Sequence, residues 1–153
     1  MSNINIKNFY TKLPEIENSI KDAKLISVDL EFTALHPLKT PSLFDSPNER
    51  YSKLRINLAQ IIPIQVGITT FTFNPNDRSY HGKMYNFYIL PACFPTIQRS
   101  FYFQSDTLNF LKLHKFDFNE WAINVTKYGR FDQDGIHIYY VFEKYTINIL
   151  KIC

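Results

Sequence analysis

The chain has 153 residues, 45% of them hydrophobic and 16% aromatic, which is enough for one domain with its own core and too few for two ordinary ones. Its 17 basic and 14 acidic side chains leave a net charge of +3, a balance that permits nucleic-acid binding without arguing for it. Cys93 and Cys153 form neither a disulfide nor a zinc-ligand pattern, so a reducing compartment is expected. No apolar run approaches the ~18 residues of a spanning helix, and the start, Met1 to Lys7, lacks signal-peptide character.

Pro14 suits the first position of a helix over Pro14 to Lys21, with Ile16 and Ile20 on one face. Leu25 to Glu31 alternates as a strand, with Ile26, Val28 and Leu30 on one side and Asp29 and Glu31 on the other. Thr33 to Asp45 is broken by His36-Pro37 and Thr40-Pro41 and reads as a loop. Ser46-Pro47-Asn48-Glu49 then sets a capping box with proline at the first helical position. The helix it starts should run from Pro47 to Leu58, with Tyr51, Leu54 and Leu58 on an apolar stripe and Arg50, Lys53 and Asn57 on a polar one.

Gln60 to Phe73 and Met84 to Leu90 read as strands paired in a hairpin, joined by the turn cluster Asn74-Pro75-Asn76-Asp77 and a polar loop to Lys83. Ser105 should cap a helix through Leu113 that points Leu108 and Leu111 inward. Ile136 to Cys153 passes as strand but has no assigned place.

The strand ending in Asp29-Leu30-Glu31 carries the chemistry. Two carboxylates on the same side of a strand repel each other unless solvated or bridged by a cation, and hard oxygen ligands suit Mg²⁺ or Mn²⁺. A pair of such ions assists phosphodiester hydrolysis. Alone, a D-x-E is a weak motif and more often a solvated strand end.

Its neighbours supply context. Ile26-Ser27-Val28-Asp29-Leu30-Glu31-Phe32-Thr33 resembles the first exonuclease motif of the DEDD superfamily, as found in the poly(A)-specific ribonuclease branch of the CAF1 nucleases. Ser42-Leu43-Phe44-Asp45, Glu49-Arg50-Tyr51, Gln65-Val66-Gly67, Asn86-Phe87-Tyr88 and Phe103-Gln104-Ser105 follow that branch in order, as does Phe116-Asp117-Phe118-Asn119. The wording around Asp29 and Ser42 is closer to the branch's pre-piRNA trimmer-type members.

The resemblance implies an α/β fold, a ribonuclease-H-like mixed sheet flanked by helices, with residues 1–125 as the N-terminal part of the exoribonuclease domain and 126–153 divergent and unassigned. It implies a 3′-to-5′ exoribonuclease acting on RNA with a free 3′ end, whether poly(A) tails in mRNA deadenylation or precursors in piRNA processing, within the nucleus or cytoplasm. Asp29 and Glu31 would be two of four acidic ligands for Mg²⁺ or Mn²⁺. Phe32 is a candidate for stacking on the terminal nucleotide or, equally, an ordinary core residue. Arg50 and Lys53 are candidates for backbone phosphate or, equally, members of a solvated face with a Glu49–Lys53 pair. Gln65, Gly67 and Asn86 are expected to serve packing and turn geometry. The family's later acidic motifs have no match: Asp132, Asp134 and His137 fit neither. The sheet is therefore expected to be incomplete at its C-terminal part, the chain inactive by itself and prone to self-association. The alternative is a non-catalytic RNA-binding or partner-binding module that keeps the first half of the fold.

Overall fold

The computed structural model describes residues 2–36, 39–91 and 100–128. In chain order the elements are β1 (Ser2–Ile4), α1 (Phe9–Asp22), β2 (Leu25–Phe32), α2 (Pro47–Leu58), β3 (Pro63–Asn74), β4 (Ser79–Pro91), α3 (Ser105–Leu113), α4 (Phe118–Asn124) and β5 (Thr126–Tyr128). They fall into two units. One takes in β1, α1, β2 as far as Glu31, β3 from Ile64, β4, α4 and β5, while the other runs from Phe32 to Pro63 and through α3 to Asp117.

The first unit is built on a mixed sheet of order β1-β4-β3-β2, with β5 paired to β4. β3 and β4 are antiparallel over the register Gln65↔Tyr88 to Asn74↔Ser79. β1 and β5 each run parallel to β4. Alternation sends Val66, Ile68, Tyr85, Phe87 and Ile89 to one face, where with Ile4 they form the core against Phe9 and Ile16 of α1. Leu13, Ile20 and Ile26 pack on its margin.

Helix α1 begins earlier than its proline suggests. Pro14 lies inside the helix rather than at its first position, because a start at Phe9 buries Phe9 and docks Leu13, and that burial outweighs the missing N–H. The turn before it is tied by Asn5 and Asn8, each side-chain oxygen accepting from the other's backbone N–H, at 3.2 and 2.9 Å. Strand β4 also begins earlier than expected. Residues 79–83 belong to the strand, and the connection shrinks to a four-residue turn between Asn74 and Ser79. Asn74 Oδ1 accepts from the Asn76 N–H and Asp77 Oδ1 from the Ser79 N–H, both at 3.1 Å. Polar residues continue the ladder because this end of the hairpin is exposed on its outer face and needs no apolar alternation.

In the second unit, α2 has its expected bounds and capping box. Ser46 Oγ accepts from the Glu49 N–H at 3.3 Å, and Glu49 Oε2 accepts from the Ser46 N–H at 2.8 Å. Its apolar stripe is not buried as expected, and of its polar stripe only Asn57 is. Tyr51, Leu54 and Leu58 are more than half exposed, while Asn57 is only 5% exposed, its carboxamide bonded to the Lys39 N–H and carbonyl at 2.8 and 3.0 Å. Helix α3 also has its expected bounds, but its cap position is Gln104, not Ser105, and Thr107 with Leu111 points inward while Leu108 is exposed. The strand expected over residues 136–153 lies outside the described residues, as do Cys93, Cys153, Asp132, Asp134 and His137.

Candidate metal centre and nucleotide-binding residues

Strand β2 ends the order of the described sheet, with β3 as its neighbour. Its alternation behaves as the sequence requires: Ile26 meets the core, while Asp29 and Glu31 leave the opposite face, Asp29 exposed and Glu31 half-buried. Val28 and Leu30 share the side of Ile26 yet are 45% and 43% exposed. Beside Asp29, the position a Gly67 Cβ would take is 3.7 Å from the Asp29 Cβ and 3.9 Å from its carbonyl oxygen. Gly67 thus sits mid-strand against β2, not in a turn.

Two carboxylates in this arrangement offer hard oxygen donors on one side of a strand, a donor set that suits Mg²⁺ or Mn²⁺. The set is partial. Among the described residues no group of three or more His, Cys, Asp or Glu side chains converges.

The residues after β2 are fixed by polar contacts that the sequence did not advertise. Thr33, fully buried, donates its N–H to the Ile62 carbonyl at 3.0 Å, accepts from the Ile62 N–H through Oγ1 at 3.2 Å, and accepts the Gln104 N–H on its carbonyl at 3.0 Å. The Gln104 side chain accepts from the Leu35 and His36 N–H groups at 3.1 and 3.0 Å and donates to the His36 carbonyl at 2.8 Å. The motif Phe103-Gln104-Ser105 contained the only hint of this role. Phe32 and Ala34, held on either side of Thr33, line a cavity of about 380 Å³ with Leu35, Leu54, Leu58 and Arg50. Phe32 is half-buried there.

Arg50 and Lys53 both turn toward the segment before α2. Lys53 Nζ donates to both carboxylate oxygens of Asp45 at 2.8 Å and to the Thr40 carbonyl at 3.3 Å. It pairs with Asp45 and not, as the helical spacing suggested, with Glu49, whose carboxylate is taken by the Ser46 cap. The Lys53 hydrogen bond and then the Ser42 backbone N–H hold the Asp45 carboxyl below its ordinary value. The Ser46 hydroxyl and then its backbone N–H do the same for Glu49. Arg50 is held more loosely, its Nη2 donating to the Ser42 and Leu43 carbonyls at 3.5 Å.

Residues 4–135 match the pattern of the CAF1 family ribonucleases. The chain is 38% identical over 117 residues to the pre-piRNA 3′-exonuclease trimmer of Bombyx mori, covering 75% of this chain and 22% of that protein. It is 37% identical over 120 residues to the poly(A)-specific ribonuclease PARN of Danio rerio, covering 74% of this chain and 18% of the relative. The chain thus spans about a fifth of the length of these relatives. Among solved structures, the Mg²⁺- and Mn²⁺-bound form of S. pombe Pop2p superposes with a TM-score of 0.55 at 16% identity, over 81% of this chain and 47% of that one. The ribonuclease domain of yeast Pop2 gives 0.51 at 16% identity, over 81% and 42%. The sheet and helices are therefore those of the ribonuclease-H-like DEDD exonuclease fold, and the chain belongs to the CAF1 family of ribonucleases.

Proposed function

We propose that this chain supplies the first half of a 3′-to-5′ exoribonuclease site, with Asp29 and Glu31 holding Mg²⁺ or Mn²⁺ beside an RNA 3′ end. The observation that carries this reading is the placement of both carboxylates on the same side of β2, Asp29 exposed and Glu31 half-buried, in a chain of this family. Such a cation, when bound, polarises phosphoryl oxygens and makes water a nucleophile at neutral pH. The two carboxylates leave the donor set incomplete, so the remaining ligands come from outside the described residues and the described part is inactive by itself.

Phe32, next in sequence to Glu31, offers its ring to the terminal base, since a π-face accepts any base. Arg50, whose hydrogen bonds are long, is the better of the two cations for backbone phosphate. Lys53 acts indirectly, through the Asp45 loop. RNA with a free 3′ end, a poly(A) tail or a small-RNA precursor, is the substrate class of this reading, which sets its work in the nucleus or cytoplasm. Residues 1–125 form the exonuclease part of the chain, and residues 126–153 have no role in this reading.

The test is 3′ shortening of a 5′-labelled, A-tailed RNA with Mg²⁺, using the 153-residue chain and the longest in-frame product of the same gene, each beside Asp29→Ala and Glu31→Ala. Metal-dependent shortening by the longer product is expected, lowered by more than about 100-fold in either variant, because even supporting residues around a metal are worth 10–100-fold. RNA binding of equal affinity in all forms, with no shortening by any, would instead support the binding-module reading. That alternative rests on the absence of a three-ligand group among the described residues.

A further inference from the structure

One transverse row of the sheet joins four residues. Asn3 of β1 is in register with Asn86 of β4, Asn86 with Gly67 of β3, and Asp29 of β2 lies against Gly67. Residues in register project from the same face, so Asn86 and Asp29 flank the space where Gly67 has no side chain.

A glycine inside a strand weakens it and marks a bulge or a close approach. Gly67 has no positive φ, so backbone freedom does not explain it. Space does. The Asn86 Oδ1 lies 3.4 Å from the position a Gly67 Cβ would occupy, and the Asp29 Cβ lies 3.7 Å from that same point. With strands about 4.8 Å apart, a side chain on β4 would ordinarily stay roughly two spacings from one on β2. Here the Asn86 carboxamide oxygen and the Asp29 Cβ approach one point above Gly67 from the two flanking strands.

We propose that Asn86 is a positioning residue for the cation held by Asp29, its carboxamide oxygen accepting a hydrogen bond from the cation's hydration shell, and that Gly67 is the gap that lets it reach. The proposal rests on the reading of Asp29 as a metal ligand. Mg²⁺ gives up its waters reluctantly and usually keeps several, so oriented acceptors around those waters fix the ion in place. A carboxamide oxygen suits the task because it accepts at every pH and adds no charge beside two carboxylates.

Mn²⁺ binding to the full chain, followed by loss of the free-ion electron paramagnetic resonance signal, tests this. Asn86→Leu, which keeps the volume, and Gly67→Val, which fills the gap, should each weaken Asp29-dependent binding by about 10–100-fold, with unchanged circular dichroism. Asn86→Asp, which keeps the acceptor, should bind at least as tightly as the wild type. Independently of these variants, Mg²⁺ should shift the Asn86 side-chain amide resonance in the wild type and leave it unmoved in Asp29→Ala. Asp29-dependent Mn²⁺ binding that stays within twofold of wild type in Asn86→Leu, or an Asn86 amide indifferent to Mg²⁺ while Asp29 binds it, overturns the role of Asn86 and spares the metal site. Absence of any Asp29-dependent binding overturns both.

Discussion

Leu43 and Phe44 are 91% and 96% exposed, so burial does not hold the loop before α2. Polar contacts do: Lys53 on Asp45, the Ser42 N–H on Asp45 Oδ2 at 2.7 Å, and Arg50 on two loop carbonyls. The Asp45 carboxyl sits below its ordinary value because Lys53 and then the Ser42 N–H stabilise its charged form. A folded value below the unfolded one means the contribution is complete above the unfolded value, about 3.9, and is lost as pH falls through the lowered folded value. The Ser42 amide proton should therefore keep a constant chemical shift from neutral pH down past about 4 and move only below it. Lys53→Met should raise the midpoint of that movement. An unchanged midpoint in the variant would mean that Lys53 does not hold the carboxylate. At this scale the shared side of Asp29 and Glu31 on one strand was legible because alternation in a strand is a local rule. Thr33, Asn57 and Gln104 were not, because their partners are groups 18 to 69 positions away, and no local pattern encodes such distances.

Helix boundaries were legible where a cap wrote them into neighbouring residues. Ser46-Pro47-Asn48-Glu49 fixed the start of α2, and Ser46→Ala should lower stability by about 1 kcal/mol in urea denaturation. No change in the midpoint would deny the cap its role. The faces of α2 were misjudged because its anchoring groups are Asn57, Lys53 and Arg50, while its apolar residues border an open cavity. Helix α1 went the other way: packing of Phe9 and Leu13 overrides the local preference of Pro14 for a helix start. Pro14 then costs a hydrogen bond and crowds the preceding turn, so Pro14→Ala should stabilise the fold by about 1–3 kcal/mol. A lower denaturation midpoint would show that the proline ring is favoured where it stands. The short elements β1, α4 and β5 span three, seven and three residues, too few for periodicity to register, and β1 and β5 form only because β4 offers them hydrogen-bonding partners.

The sheet order leaves β2, the strand of the two carboxylates, at the end of the described sheet. Its Val28 and Leu30 remain nearly half exposed beside Ile26, which is only partly buried at the margin of the core. An edge strand with apolar side chains invites pairing, so we expect the chain to self-associate at micromolar concentration. Val28→Lys should shift its sizing elution toward the monomer, whereas wild-type chain eluting as a monomer would contradict the expectation. The α/β class and the β3–β4 hairpin were legible in alternation and turn residues, whereas the order of the strands was not, since pairing between distant segments is a property of the whole chain. Whether Asp29 and Glu31 bind the divalent cation is read from paramagnetic broadening of amide resonances by substoichiometric Mn²⁺. Broadening should centre on residues 28–32 and Gly67 and disappear in Asp29→Ala and Glu31→Ala. Broadening centred elsewhere, such as on the Asp77–His81 turn, or persisting unchanged in both variants, would contradict it.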